Sequence, residues 1–206
     1  MNHPIPQRPS TTQLLTAFNT ASVRWPGALR AALALLLPGA FAMLTGHDYA
    51  ILLLATGAFA VIFGEGHPFR TRPRVILTAG LALTTVATVG VLVGHLIFVP
   101  GHGHWWLLLA GLYSLLLAAL CGFTQNALRL PPPGAFFLVL VGGGSVMLAR
   151  TDTSVGQLFF WSLTGVLASL ILGMAPALID VHGPERRAVA ALEKATAAFV
   201  SGEDDS

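Results

Sequence analysis

Charge is what this sequence has least of. Lys, Arg, Asp and Glu make up 10% of the 206 residues, against roughly 25% in soluble domains. A chain so poor in charge cannot cover a water-facing surface. Its hydrophobic content of 54% and mean hydropathy of +0.74 call for another solvent. Cysteine is nearly absent as well. The one cysteine, Cys121, sits in an apolar run, which excludes a disulfide within the chain and any CxxC site. It reads as a small packing residue. Residues 1–26 have no apolar core, so no cleavable signal peptide is visible.

Catalytic motifs are missing too. There is no HExxH, and Gly143-Gly144-Ser145-Val146 continues to Met147, which breaks the GxSxG pattern. A hydrolase pairing Ser145 with His95 rests on residue type alone. Gly142–Gly144 lie inside an apolar run instead of following a strand, so they form no nucleotide loop and no cofactor is expected. His95, His102 and His104 have no carboxylate or thiol beside them, a poor match to a zinc site. No enzyme and no metal centre is expected. The alternating ~10-residue segments of a membrane β-barrel are also absent. The net charge of +2 and pI near 9.2 do not point to nucleic acid, because the basic residues flank apolar runs, as membrane topology requires.

What is present is a series of apolar runs near ~20 residues, the length that crosses a ~30 Å hydrocarbon core. The sequence predicts an all-α integral membrane protein, a six-transmembrane-helix bundle over residues 27–180. An N-terminal tail and short interfacial helix (1–26) precede it, and a cytoplasmic C-terminal helix with an acidic tail (181–206) follows. The predicted spans are Gly27–Gly46, Tyr49–Gly64, Val75–Val99, Trp105–Phe123, Gly134–Ala149 and Ser154–Ile179. Ser10-Thr11-Thr12-Gln13 has the form of a capping box. Pro38-Gly39 predicts a kink in the first span, Asp48 an N-cap on the second, and Trp105-Trp106 an interfacial anchor. Gly90 and Gly94 form a GxxxG, and Gly165, Ser169 and Gly173 a longer stripe of small residues. Both let helix backbones approach closely in lipid.

With the N-terminus cytoplasmic, Arg8, Arg24, Arg30, Arg70, Arg72, Arg74, Arg129, Arg186, Arg187 and Lys194 fall on the inner side and Arg150 alone on the outer. That bias obeys the positive-inside rule and puts both termini in the cytoplasm. The expected location is multi-pass in the plasma (inner) membrane, with the lipid bilayer as the first partner. Pro184 opens a further predicted helix with Val189, Leu192 and Phe199 on one side. That face needs cover from the bundle, from another copy in a homo-oligomer, or from a partner subunit.

Candidate functional residues gather where the second span ends, in GAFAVIFGEGHPFRTRPR (Gly57–Arg74). Glu65 stands at a helix C-terminus, where the macrodipole disfavours a carboxylate. It must be paired or protonated. Arg70, Arg72, Arg74 and Arg30 are its available partners, and both a structural ion pair and a proton-coupling role fit. Asp180, at the inner end of the sixth span, poses the same question. Arg30 can snorkel to headgroups or hold an organic anion through a bidentate contact. Thr84, Thr88 and His95 share a face of the third helix. They could line a polar path with His95 titrating near neutral pH, or the threonines could bond back to their own helix.

The six-helix layout, the first-span LRAALALLLPGA, the loop FGEGHPFRTRPR and the terminal HGPERRAVAALEKATAAF together resemble the fusaric-acid-resistance-like (FUSC) family, which includes the aromatic acid exporters. The resemblance covers about residues 24–200. It implies a transporter component for proton-driven efflux of aromatic carboxylates or similar hydrophobic organic acids, so a small organic anion as substrate. It also implies a cytoplasmic domain and, in many members, a second six-helix unit. This chain stops where the cytoplasmic domain would begin. The alternative is a non-transporting membrane module that anchors or oligomerises a partner.

Overall fold

Leu and Ala favour helices, and in hydrocarbon a helix satisfies every interior backbone group within one segment. Every regular element among the described residues is accordingly helical. The computed structural model describes residues 25–127, 134–151 and 153–178, with 183, 186, 189–193 and 196–197 nearer the C-terminus. Ser10–Gln13, Arg8, Arg24, Arg129, Asp180, Pro184, Arg187, Lys194 and Phe199 lie outside the described residues. The helices are α1 (Trp25–Leu44), α2 (Ala50–Ala58), α3 (Ala60–Phe63), α4 (Arg72–Ile97), α5 (Leu107–Ala127), α6 (Gly134–Ser145) and α7 (Val155–Met174). Tighter 3-10 turns precede α5 (His104–Trp106) and extend α6 (Val146–Thr151) and α7 (Ala175–Leu178).

Among the described residues, five stretches are long and apolar enough to cross a bilayer: Trp25–Leu44, Arg72–Ile97, His104–Ala127, Gly134–Thr151 and Val155–Leu178. The sixth apolar segment, Ala50–Phe63, is shorter. At ~1.5 Å per residue, α2, Phe59 and α3 together rise about 20 Å, less than the ~30 Å hydrocarbon core. This is nonetheless an interior segment, for six of the nine residues of α2 are buried. The fold is that of a helical membrane protein.

Element boundaries follow local chemistry. α4 begins at Arg72, ahead of the expected Val75, because Pro73 falls in the first turn, where its missing N–H has no helical partner to lose. Asp48 does not cap α2 as expected. Tyr49 holds the N-cap position without a side-chain bond, and the carbonyls of His47 and Asp48 accept from the Ala50 and Ile51 N–H groups at 2.8 and 3.2 Å. The turn's own backbone does the capping. A capping box that the sequence reading passed over opens α7, where the Ser154 hydroxyl accepts from Gln157 N–H and the Gln157 amide oxygen from Ser154 N–H. Pro38 sits inside α1, which continues to Leu44.

α4 and α7 form the centre. α2 packs on α7, α6 on α4, α1 against α2 and α7, and α5 against α6. Leu53, Ile76, Leu83, Val91 and Leu158 are the large buried residues between them. The small-residue stripes sit at these contacts. A methyl at Gly90 would overlap the Gly142 carbonyl oxygen, and one at Gly165 the Leu54 carbonyl oxygen. Gly57, which no sequence motif marked, is the counterpart on α2, facing the Ser162 carbonyl. Hydroxyls tie the same seam: Ser169 donates to the Ala58 carbonyl at 2.8 Å, and Thr84 and Ser162 share a buried hydrogen bond of 2.8 Å.

Candidate functional site

One end of the bundle carries the charges. α3 stops at Gly64, and the chain turns through Glu65, whose N–H donates to the Ile62 carbonyl at 3.2 Å. Arg30, near the start of α1, reaches that carboxylate with two bonds, Nε to Oε1 at 2.9 Å and Nη2 to Oε2 at 2.6 Å. The side chains are 21% and 34% exposed. Gly27 makes the approach possible, since a Cβ there would lie 3.0 Å from Oε2. Of the four arginines offered as partners, Arg30 is the one that pairs with Glu65. The Nε–Nη2 edge of its guanidinium is therefore taken by Glu65.

The arginine loop divides by helix geometry. Arg72 and Arg74 are two residues apart, about 200° around a helix, so they cannot share a face. Arg74, and Arg70 in the preceding turn, are exposed. Arg72 is buried at 5% exposure, with its guanidinium carbon 4.7 Å from the Phe69 ring centroid. Its Nη1 donates to the Gly173 carbonyl at 3.1 Å. Three residues on, Pro176 offers no N–H to the turn behind it, and a cation suits the negative end of the α7 dipole. The sequence signal was Pro176, which went unused.

The shared face of Thr84, Thr88 and His95 has three separate fates. Thr84 bonds Ser162. Thr88 donates to the Thr84 carbonyl at 2.7 Å, and His95 Nε2 lies 3.1 Å from the Thr153 carbonyl. Among the described residues, no hydrogen bond joins the side chain of one of the three to the side chain of another. His102 stacks on Trp106 with ring centroids 3.9 Å apart, and among the described residues no three His, Cys, Asp or Glu side chains converge as metal ligands.

The opposite end holds a groove. α2 and α6 both pack against α4 but make little contact with each other. Two adjoining cavities lie along the gap, sharing Leu52, Ala55 and Leu148. The outer one, ≈560 Å³, is lined at its mouth by Asp48, Tyr49, Thr151, Thr153 and Gln157. The deeper one, ≈230 Å³, reaches Thr56, Phe59, Gly144 and Ser145. Below it the Phe59 and Phe137 rings meet at 5.1 Å, with Phe63 6.3 Å from Phe137, an aromatic plug toward the charged end.

Gly142, Gly143 and Gly144 point three ways, as ~100° steps require. A Cβ at Gly142 would press on Leu117 and Tyr113, and one at Gly143 would meet Ser114, whereas Gly144 has nothing within 4 Å and lines the groove. Apart from Ser145 and Gly144, read only against hydrolase and nucleotide-loop motifs, and Asp48, read only as a cap, the groove residues carry no sequence motif. The glycine run was the one available signal. The helices, the charged clamp and the groove define a multi-pass helical membrane protein with a lateral cavity. No protein-family model, curated protein or solved structure matches the chain.

Proposed function

We propose that this chain is the membrane component of a transporter, and that amphipathic organic molecules enter the α2–α6 groove from the bilayer. The observation that carries the reading is Gly144. A glycine inside a helix costs about 1 kcal/mol relative to alanine, and here no packing contact requires it. Its effect is to leave open space in a groove with a polar mouth, an apolar trough and an aromatic floor, the composition expected of a small-molecule site.

The chain crosses the plasma (inner) membrane six times with both termini cytoplasmic. Two features support this: Arg30, Glu65, Arg70, Arg72 and Arg74 gather at one end, and Ala50–Phe63 links the far turn at His47 back to Glu65. The FUSC-like resemblance adds export of hydrophobic organic acids driven by protons, with Glu65 as the carrier. In that cycle the Arg30 pair opens when Glu65 takes a proton. Flux in proteoliposomes under an imposed pH gradient tests it. The parent chain moves substrate, and Glu65→Gln moves it without response to the gradient; equal gradient dependence in both removes the coupling role.

The second reading, an anchor or oligomerisation module, draws on the exposed Val189 and Leu192, at 55% and 68% exposure. Deleting residues 184–206 then abolishes partner capture, and neither a hydrophobic organic acid nor a lipophilic cation shows flux through the parent chain in proteoliposomes.

A further inference from the structure

The chemistry of the groove narrows its occupant. We propose, on the basis of the reading above that amphipathic molecules enter this groove, and in place of the organic acid that the FUSC-like resemblance implies, that the groove takes a single-chain amphiphile with a cationic head, the head at Asp48 and Tyr49 and the tail directed toward Phe59. Among the described residues, Asp48 is the charged side chain that lines these cavities, and no Lys or Arg does. Among the described residues, the basic groups of the neighbouring segments have contacts of their own, and His95 Nε2 lies 3.1 Å from the Thr153 carbonyl. The Arg150 guanidinium lies 5.2 Å from the Phe98 ring centroid, and the His47 Nδ1 is 3.1 Å from the Thr45 hydroxyl, its ring beside Trp161.

Two helix N-termini, of α2 and α7, also lie at this mouth, and their partial positive charge favours an anion. The capping groups there are already used. Ser154 and Gln157 bond each other's N–H at 3.2 and 3.0 Å, and backbone carbonyls take those of Ala50 and Ile51. A full carboxylate charge at Asp48 outweighs what remains, and the Tyr49 ring, 54% exposed, offers a cation a π-face. A carboxylate ligand meets Asp48, and among the described lining residues no Lys or Arg offsets it.

The trough of Leu52, Leu53, Ala55 and Leu148 suits a tail. From Asp48 to Phe59 the helix rises about 16 Å, room for roughly a dozen carbons. The deeper cavity of ≈230 Å³ is too small for the paired chains of a phospholipid, which is why the occupant is single-chained.

The test uses the full chain in phosphatidylcholine nanodiscs, titrated with dodecyltrimethylammonium and with dodecanoate, with empty nanodiscs subtracted. The two probes share a tail and differ in the sign of the head. The cation is expected to bind at least about tenfold tighter, a charge-assisted difference. Asp48→Asn erases the preference, and Gly144→Leu weakens both probes. Circular dichroism checks that each variant keeps its helices. Equal binding of the two, or tighter dodecanoate binding, overturns the cationic assignment and leaves the groove in place. No binding above empty nanodiscs, or binding that Gly144→Leu leaves unchanged, overturns the groove reading and this inference with it.

Discussion

At the scale of single residues, the Arg30–Glu65 pair shows how a local electrostatic problem is solved by a distant partner. A carboxylate just past a helix C-terminus faces the negative end of the dipole, and the Arg30 fork supplies two charge-assisted bonds. Removing either member leaves the other half-buried. Arg30→Met or Glu65→Gln is therefore expected to lower stability by about 1–3 kcal/mol, read from unfolding midpoints in micelles, and the double variant to lose less than the sum. Strict additivity contradicts the pairing. The Thr84–Ser162 bond should matter less, with Ser162→Ala costing about 0.6 kcal/mol, the usual scale of hydrogen bonds between membrane helices. The dipole argument singled out Glu65 from sequence, because it needs only a helix end. Which of four arginines answers was illegible, since Arg30 lies 35 positions away and only helix packing brings it near.

At the scale of elements, some glycines join helices, whereas Gly144 has nothing within 4 Å and lines the groove. Gly57 and Gly165 hold α2 against α7, Gly90 holds α4 against α6, and Gly94 holds α4 against the 3-10 turn that extends α6. Gly165→Leu and Gly90→Leu are expected to cost 1–3 kcal/mol or more by overpacking and to lower the unfolding midpoint. Gly144→Leu should leave it unchanged or raise it, because nothing stands within 4 Å and leucine is the better helix former by about 0.8 kcal/mol. A destabilised Gly144→Leu would contradict the open groove. Six apolar segments and both small-residue stripes were legible, because span length and i, i+4 spacing are written in one dimension. Gly57 and the groove were not, because a gap belongs to two helices at once.

At the scale of the molecule, the charged clamp and the groove mouth lie at opposite ends, and orientation gives that arrangement its meaning. In a Cys121→Ala background, cysteine at Arg70 or His67 should label only in inside-out vesicles, and cysteine at Thr45 or His102 only in right-side-out ones. Labelling of positions 45 and 67 from the same side would mean that Ala50–Phe63 does not cross, leaving five spans.

The claim that organises these observations is that substrate travels through the α2–α6 groove, and one comparison addresses it most directly. Efflux of a hydrophobic organic acid and of a lipophilic cation is measured from proteoliposomes holding the parent chain or Gly144→Leu, with the folded fraction of each fixed by its unfolding midpoint. The account predicts flux of at least one probe through the parent and a fall to the protein-free background in Gly144→Leu, whose midpoint is unchanged or higher. Parental flux through Gly144→Leu, or no flux through either, contradicts it.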